Sequence, residues 1–177
     1  MLKGINKLLT GDILKILCDM GHGDELVIAD ANFPAETVAT RLVRIPGIDG
    51  VKAAEAILSV LPLDTYTEAP ALIMDLTDGD KAKGMPEPVI WPIYSELVKK
   101  NGGDGLAKLE RYAFYERAKK AYAVIQTGEE RQYGNLILVK GVVLPDETEK
   151  KVHGHVRGAE YYRNLGKRTE ADDAPPW

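Results

Sequence analysis

The chain has 177 residues and a formal net charge of −4 at pH 7. This length supports one domain with a hydrophobic core and is short for two domains. Apolar residues make up 45% of the sequence and charged residues 28%, which is ordinary for a globular protein. The negative charge argues against a nucleic-acid-binding surface.

The number of cysteines and the length of the apolar runs indicate in which cellular compartment the protein is expected. Cys18 is the single cysteine, so an internal disulfide is excluded, and its place inside a helical pattern predicts a small core residue. The apolar part of the first segment, "MLKGINKLL", is too short for a signal peptide. No apolar run approaches the roughly 20 residues that span a bilayer. The expectation is a cytoplasmic, reduced protein without membrane contact.

The predicted elements begin with a helix after Thr10, whose side chain can cap the first turn. Apolar residues at i, i+3, i+4 and i+7 give this helix one apolar face, and Gly21 is a natural stop. Residues 26–29 are consecutive apolar residues, a pattern that predicts a strand covered on both faces. The apolar face of the helix consists of Ile13, Ile16, Leu17 and Met20.

The sequence then alternates between helical and strand patterns. Strands are predicted over residues 69–76, 107–112, 122–128 and 135–144. This alternation predicts an α/β fold, with a central, mostly parallel sheet flanked by helices in a single layered domain. Helices are predicted over residues 51–60, from about Pro92 to the break at 101–105, and over 114–123, where Phe114, Ala118 and Ala121 share a face and Glu116 pairs with Lys120.

The composition changes near Pro145. From there to Trp177 the sequence has thirteen charged residues and only three aliphatic residues larger than alanine, namely Val152, Val156 and Leu165. Such a segment cannot form a core of its own. The expected organisation is a domain over residues 1–144, followed by a polar tail, or an arm laid over a neighbour, over residues 145–177.

His22 is the first candidate for chemistry. It lies between Gly21 and Gly23, so neighbouring side chains leave it uncovered. An unperturbed imidazole titrates near pH 6.5 and can exchange protons at neutral pH. The alternative is a loop histidine held at a helix C-terminus by the dipole.

Asp30 is the second candidate because it follows the buried strand. In open α/β sheets, ligands gather outside the carboxyl ends of strands. The alternative is an aspartate that caps the turn "DANFP". Eight residues, most of them extended, separate Asp30 from His22. If the two share a site, either the loop folds back or a second subunit contributes.

Two further segments offer polar side chains. Arg111 is predicted to precede the last helix and can reach ligand hydroxyls with its fork of donors, whereas Arg117 lies inside the helical pattern and is expected in a surface ion pair. Tyr133, Gly134 and Asn135 form a compact hydrogen-bonding set before the last strand, although "YGN" is also a common turn composition.

Cofactor motifs are missing from the sequence. It contains no phosphate-binding GxxxxGK[ST] or GxGxxG pattern and no CxxC pair. His153 and His155 lie in the polar tail, and two ligands from such a segment do not make a metal site. We therefore expect neither a metal nor an organic cofactor.

Taken together, four motifs resemble one family. They are "MGHGDELVIADANFP", "LPLDTY", "LERYAFYERAKKAYAVIQTGE" and "YGNLILVKGV". The sequence resembles the L-fucose mutarotases, members of a wider group that includes D-ribose pyranase. The similarity runs from Met1 to about Val142.

The resemblance implies a ribose pyranase-like fold and an isomerase that interconverts the α- and β-anomers of L-fucose or a related sugar. It implies that His22 is the general acid, and that Asp30, Arg111 and the turn Tyr133, Gly134 and Asn135 bind substrate. It also implies rings, commonly decamers built from pentamers, with sites between neighbouring subunits. Tyr133 is our own candidate for the partner in proton exchange. Pyranose–furanose interconversion of the D-ribose pyranase type, or sugar binding without turnover, remain as alternatives.

One position departs from the family pattern. Fucose members often read "DAHFP", whereas this sequence has Asn32 in place of that histidine. Asparagine keeps hydrogen bonding but cannot switch its charge with pH. If residue 32 touches the sugar, the preferred substrate differs from that of the histidine members.

Overall fold

The computed structural model describes residues 2–144. The chain divides into a compact unit over Met1–Val142 and a second unit over Val143–Trp177. The tail expected over residues 145–177, with His153 and His155, lies outside the described residues. Within residues 2–144 no helix is long and apolar enough to cross a membrane.

Helices and strands alternate through most of the first unit. The strands are β1 (Glu25–Ala29), β2 (Leu42–Ile45), β3 (Ala71–Met74), β4 (Ala107–Leu109), β5 (Ala123–Thr127) and β6 (Leu136–Val139). The helices are α1 (Gly11–Asp19), α2 (Ala35–Val38), α3 (Gly50–Leu58), α4 (Asp78–Ala82), α5 (Ile90–Lys100) and α6 (Arg111–Lys120).

The strands form one six-stranded sheet in the order β2-β5-β1-β6-β3-β4. β1 is parallel to β5, β5 to β2, and β3 to β4, whereas β6 is antiparallel to both of its neighbours, β1 and β3. Leu26 of β1 therefore pairs with Ala123 on one side and with Leu138 on the other. The prediction of a mostly parallel sheet is confirmed, with one central strand reversed.

Helices cover the sheet and enclose the core. α3 packs on α5, α2 packs on α6, and both α3 and α6 contact β1. All residues of β1 from Leu26 to Ala29 are fully buried, as expected of a strand covered on both faces. β3 and β6 are likewise buried along their whole length.

The first helix follows the sequence pattern. The Thr10 side chain accepts a hydrogen bond from the Ile13 amide at 3.3 Å, and the helix ends one residue before Met20. Ile13, Ile16 and Leu17 are buried. The prediction that Cys18 is a core residue is wrong, since Cys18 is exposed. It lies off the apolar stripe, which already supplies the buried face.

Three short elements, α2, β2 and α4, were not predicted. β2 is an edge strand with no fully buried residue, and α4 buries no residue at all, so neither has a strong apolar period.

Three predictions concern side chains of α6. Arg111 begins α6 instead of preceding it. Glu116 pairs with Lys119 at 2.5 Å instead of with Lys120. Arg117 forms the expected ion pair, with Glu25 of β1 at 2.6 Å.

The far end of β6 is anchored to the first helix. The Lys140 ammonium donates to the carbonyl oxygens of Leu17 at 2.7 Å and Met20 at 2.5 Å, which satisfies carbonyls that the helix leaves unpaired. The Gly23 amide donates to the Lys140 carbonyl at 2.8 Å. These bonds fix the loop that carries His22 against the end of β6.

Candidate functional site

A cavity of about 370 Å³ opens at the edge of the sheet where β1 and β3 end and β6 begins. Because β6 runs antiparallel, its first residues meet the last residues of β1 and β3 there. A volume of this size is typical of sites for small ligands. The polar part of the lining includes Asp30, Asn32, Asp80, Arg111, Tyr133 and Asn135.

Asp30 and Asn135 form the buried floor of the cavity. The Asn135 Nδ2 atom donates to Asp30 Oδ2 at 2.7 Å, and the Asp30 amide donates to Asn135 Oδ1 at 3.0 Å. The Asn32 amide donates to Asp30 Oδ1, also at 3.0 Å. Burial raises the pKa of Asp30, although the hydrogen bonds from Asn32 and Asn135 oppose that rise. The carboxyl is held in one orientation facing the cavity.

The turn before β6 is fixed by aromatic side chains. Tyr133 has a left-handed φ of 59°, which is uncommon for a residue with a side chain. The Trp91 indole donates to the Tyr133 carbonyl at 3.1 Å, and the Tyr94 hydroxyl donates to the Gly134 carbonyl at 3.0 Å. A Cβ atom at residue 134 would lie 2.7 Å from Glu129 Cγ, so glycine is required there.

Glu129 supports this turn from behind. It is buried and accepts hydrogen bonds from the Gly50 amide at 3.1 Å and from the Arg131 amide and side chain at 2.9 and 2.7 Å. Burial alone would raise the pKa of Glu129, but the bonds from Arg131 and Gly50 outweigh it and lower the pKa. A charged, fully bonded carboxylate thus holds the loop between β5 and β6.

Arg111, Tyr133 and Asp80 form a chain of hydrogen bonds along one wall. Arg111 Nη2 and the Thr77 amide each donate to the Tyr133 hydroxyl oxygen at 3.3 Å, and the Tyr133 hydroxyl donates to Asp80 Oδ2. The hydrogen bond from Tyr133 lowers the pKa of Asp80. Arg111 Nε is buried and has no hydrogen-bond partner among the described residues. A buried donor without a partner is costly, and the same side chain lines the cavity.

The cavity also has an apolar side, lined by Phe33, Met74 and Tyr115. The rings of Phe33 and Tyr115 lie 5.6 Å apart between centroids. A ligand that fills the cavity therefore meets hydrogen-bonding groups on one side and hydrocarbon on the other. Monosaccharides present both kinds of surface.

His22 lies at the opposite edge of the sheet. The loop that carries it enters β1, whereas Asp30 follows the last residue of that strand. Five strand residues at about 3.3 Å each separate the two edges by roughly 16 Å. His22 is not among the residues that line the cavity. Within one chain the structure separates the predicted general acid from the predicted binding residues.

An aspartate holds the imidazole of His22. Nε2 of His22 lies 3.1 Å from Asp64 Oδ1, and the Tyr66 amide donates to the same oxygen at 3.0 Å. The bond from the Tyr66 amide, followed by that from His22, lowers the pKa of Asp64. The Tyr66 ring contacts the imidazole edge to face at 5.5 Å. The His22 side chain is 47% exposed, so it is oriented and still accessible.

Sequence reasoning placed Asp30, Arg111, Tyr133, Gly134 and Asn135 near one site, and the structure brings them together. It missed Asp64 and Asp80. Asp64 stands in the quoted motif "LPLDTY", but nothing in the pattern linked it to His22, 42 residues away. Asp80 lies six residues beyond the end of β3, inside α4, so the rule about strand ends did not single it out. Among residues 2–144, no group of three or more His, Cys, Asp or Glu side chains is arranged to hold a metal.

Comparisons with known proteins identify the family. A family profile described as the RbsD / FucU transport protein family matches residues 3–143. The chain belongs to this family. A fucose mutarotase from Danio rerio is 52% identical over 151 residues, which cover 83% of this chain and 97% of the relative. The predicted family resemblance is confirmed.

Solved structures of the RbsD / FucU family share the fold. One is the fucose mutarotase of Streptococcus pneumoniae, solved in complex with L-fucose. It is 41% identical to this chain with a TM-score of 0.75, and the match covers 81% of this chain and 100% of the mutarotase. RbsD of Bacillus subtilis, solved with D-ribose, has 26% identity and a TM-score of 0.59 over 81% of this chain and 100% of its own. The predicted ribose pyranase-like fold is confirmed.

Proposed function

We propose that this chain is a mutarotase that interconverts the α- and β-anomers of L-fucose or a closely related sugar. The observation that carries the proposal is the cavity, in which a buried Asp30–Asn135 pair and the cationic side chain of Arg111 line a space of monosaccharide size. The similarity to fucose mutarotases over four-fifths of the chain supports it.

The reaction needs proton transfer at two oxygens. The anomeric hydroxyl loses its proton, the bond between C1 and the ring oxygen breaks, and the ring oxygen gains a proton. Rotation about C1 and the reverse steps give the other anomer, so atoms and charge balance without an added reactant. In our proposal His22 protonates the ring oxygen, and Tyr133 is the candidate for the second group. Positioned proton transfer typically contributes about 10² to 10⁴-fold.

The remaining residues bind or orient. Asp30, Asn135 and Arg111 hold sugar hydroxyl groups, and the turn of Tyr133 and Gly134 shapes the floor. Asp64 orients His22, because its oxygen lies 3.1 Å from Nε2. A carboxylate in this position also stabilises the imidazolium when it forms.

The separation of His22 from the cavity is the reason to propose sites between subunits. A ring in which the His22 edge of one copy faces the cavity of the next would complete every site with one kind of contact. We propose such a homo-oligomer, a pentamer or a decamer of two pentamers. A cytoplasmic location is part of the proposal, because an exposed free thiol such as Cys18 persists best in a reducing compartment.

The catalytic proposal is tested by NMR exchange spectroscopy on equilibrated sugars. We expect the native protein to accelerate exchange between the two anomers of L-fucose, and the unlabelled sugar resonances report the rate directly. The preferred substrate is identified by comparing exchange rates over a panel of sugars that includes D-arabinose, L-galactose and D-ribose. Faster pyranose–furanose exchange of D-ribose than anomer exchange of L-fucose would favour the ribose pyranase alternative. Binding without any acceleration would leave a sugar-binding protein.

The assembly proposal is tested by mixing two defective chains. One carries His22→Gln and the other carries Asp30→Asn with Arg111→Met, and each alone should be nearly inactive at low sugar concentration. Random co-assembly in a ring pairs an intact His22 edge with an intact cavity in about one quarter of the sites. Co-expression should therefore restore up to about a quarter of the native rate.

Two outcomes would contradict the assembly proposal. Light scattering at micromolar concentration should show a pentamer or larger, and a fully active monomer would refute it. If co-expression restores no activity while the two chains do co-assemble, then each site is built within one chain. Mixing chains that both carry His22→Gln is the matched control and should restore nothing.

A further inference from the structure

We propose that Asp80 is a further sugar-binding residue of the cavity and sets its preference for a ligand hydroxyl group on that wall. This inference rests on the proposed function. No sequence motif pointed to Asp80, which lies on α4 and lines the cavity beside Tyr133.

Internal hydrogen bonds fix the orientation of Asp80 and leave one oxygen open. Oδ2 of Asp80 accepts hydrogen bonds from the hydroxyl groups of Tyr133 and Thr77, the latter at 2.9 Å. The Asp80 amide donates back to Thr77 Oγ1 at 3.2 Å, so Thr77 caps α4 and its hydroxyl group also holds the Asp80 carboxylate. Within the described part of the chain, Oδ1 has no recorded hydrogen bond. The carboxylate is held by one oxygen and offers the other.

The neighbouring phenol is a poorer acceptor for the same ligand group. The Tyr133 hydroxyl has one hydrogen and donates it to Asp80, so its oxygen can only accept. The Arg111 side chain and the Thr77 amide already approach that oxygen at 3.3 Å. A sugar hydroxyl on this wall therefore finds its strongest open acceptor at Asp80 Oδ1.

Charge makes this contact strong and selective. A carboxylate accepts shorter and stronger hydrogen bonds than a neutral group. Arg111, bound to the same phenol, presents a donor beside it. A ring oxygen or an ether faces repulsion from Oδ1, whereas a hydroxyl group is attracted to it. The wall thus distinguishes sugars that carry a hydroxyl at the facing position from analogues that lack it.

The decisive variant is Asp80→Asn, because it keeps the shape of the side chain while it removes the charge and the open acceptor. The amide oxygen can take the place of Oδ2 and still accept from Tyr133 and Thr77, while the amide nitrogen replaces the open acceptor with a donor. Asp78→Asn is the matched control, since Asp78 is on the same helix, exposed, and not part of the cavity lining. α4 buries no residue, so the fold should survive. Melting temperatures check this, and Asp80→Ser serves as a second variant.

Calorimetry measures the affinity of each protein for L-fucose and for its monodeoxy analogues. We expect Asp80→Asn to weaken L-fucose binding by about 10- to 100-fold and Asp78→Asn to leave it unchanged. One analogue, lacking the hydroxyl that Asp80 binds, should bind the native protein and the Asp80→Asn variant about equally.

Two results would overturn the inference. Unchanged affinity in Asp80→Asn would do so, as would an equal loss for every analogue, which indicates an indirect effect. A fall in the exchange rate at saturating sugar with unchanged affinity would assign Asp80 to the proton chemistry of Tyr133 instead. Failure of the proposed function is distinct, because the native protein would then not accelerate anomer exchange of L-fucose, whereas the Asp80 inference is decided by the affinities.

Discussion

Replacing His22 with glutamine should slow anomer exchange by about 10²-fold or more while sugar binding weakens only slightly. Glutamine keeps roughly the size and one hydrogen-bonding face of the imidazole, and it can still reach Asp64, but it cannot carry a proton near pH 7. The cavity residues Asp30 and Asn135 lie at the other edge of the sheet, so this change leaves their contacts intact.

Exchange NMR gives the rate and calorimetry gives the affinity of the His22→Gln variant. Cys18→Ser is a suitable control, since Cys18 is exposed on the helix that leads into the same loop, and its rate should equal that of the native protein. Near-normal exchange in His22→Gln would remove the catalytic assignment and favour sugar binding without turnover.

Replacing Asp30 with asparagine should weaken sugar binding by about 1.5 to 3 kcal/mol, or roughly 10- to 100-fold in affinity. The carboxylate accepts from the Asn32 amide on one oxygen and from Asn135 Nδ2 on the other. An amide at residue 30 has only one acceptor, so its nitrogen must face one of these donors. The variant loses both the charged acceptor for sugar hydroxyl groups and the fixed orientation of the floor.

The pH dependence of affinity provides a second measurement at Asp30. Burial raises the pKa of this carboxyl above its ordinary value, which is near 3.9. Affinity of the native protein should therefore fall as the pH is lowered through this raised pKa, because the protonated group is a weaker acceptor. Asp30→Asn should lack that fall, while Asp104→Asn, exposed and outside the cavity lining, should keep it. Native-like affinity in Asp30→Asn would exclude Asp30 from the binding site.

Strong local patterns explain the successful part of the sequence prediction. The stripe of Ile13, Ile16 and Leu17 has the period of a helix, and the apolar run of β1 is short, as in a strand covered on both faces. Asp30 could be placed at a ligand-binding edge because it follows such a strand. The alternation of elements then led to a layered α/β fold.

Other features depend on pairings that sequence cannot express. Nothing in "NLILV" indicates that β6 is antiparallel to β1, yet that reversal brings Asn135 to Asp30. The partnership of His22 and Asp64 requires residues 62–64 to pair with the end of β6. α4 was missed because a five-residue helix with no buried side chain has no hydrophobic period. Asp80, the cavity residue on α4, was missed for the same reason.

The anchoring of β6 at both ends limits insertions and deletions in this strand among the proteins of the family. Asn135 is bonded to Asp30 at one edge, and Lys140 to the last carbonyls of α1 at the other. One inserted residue in β6 would turn its side chains to the opposite faces, and two would carry the turn about 7 Å away from Asp30. Insertions and deletions among homologues should therefore be absent from β6 and collect in exposed turns such as residues 101–102.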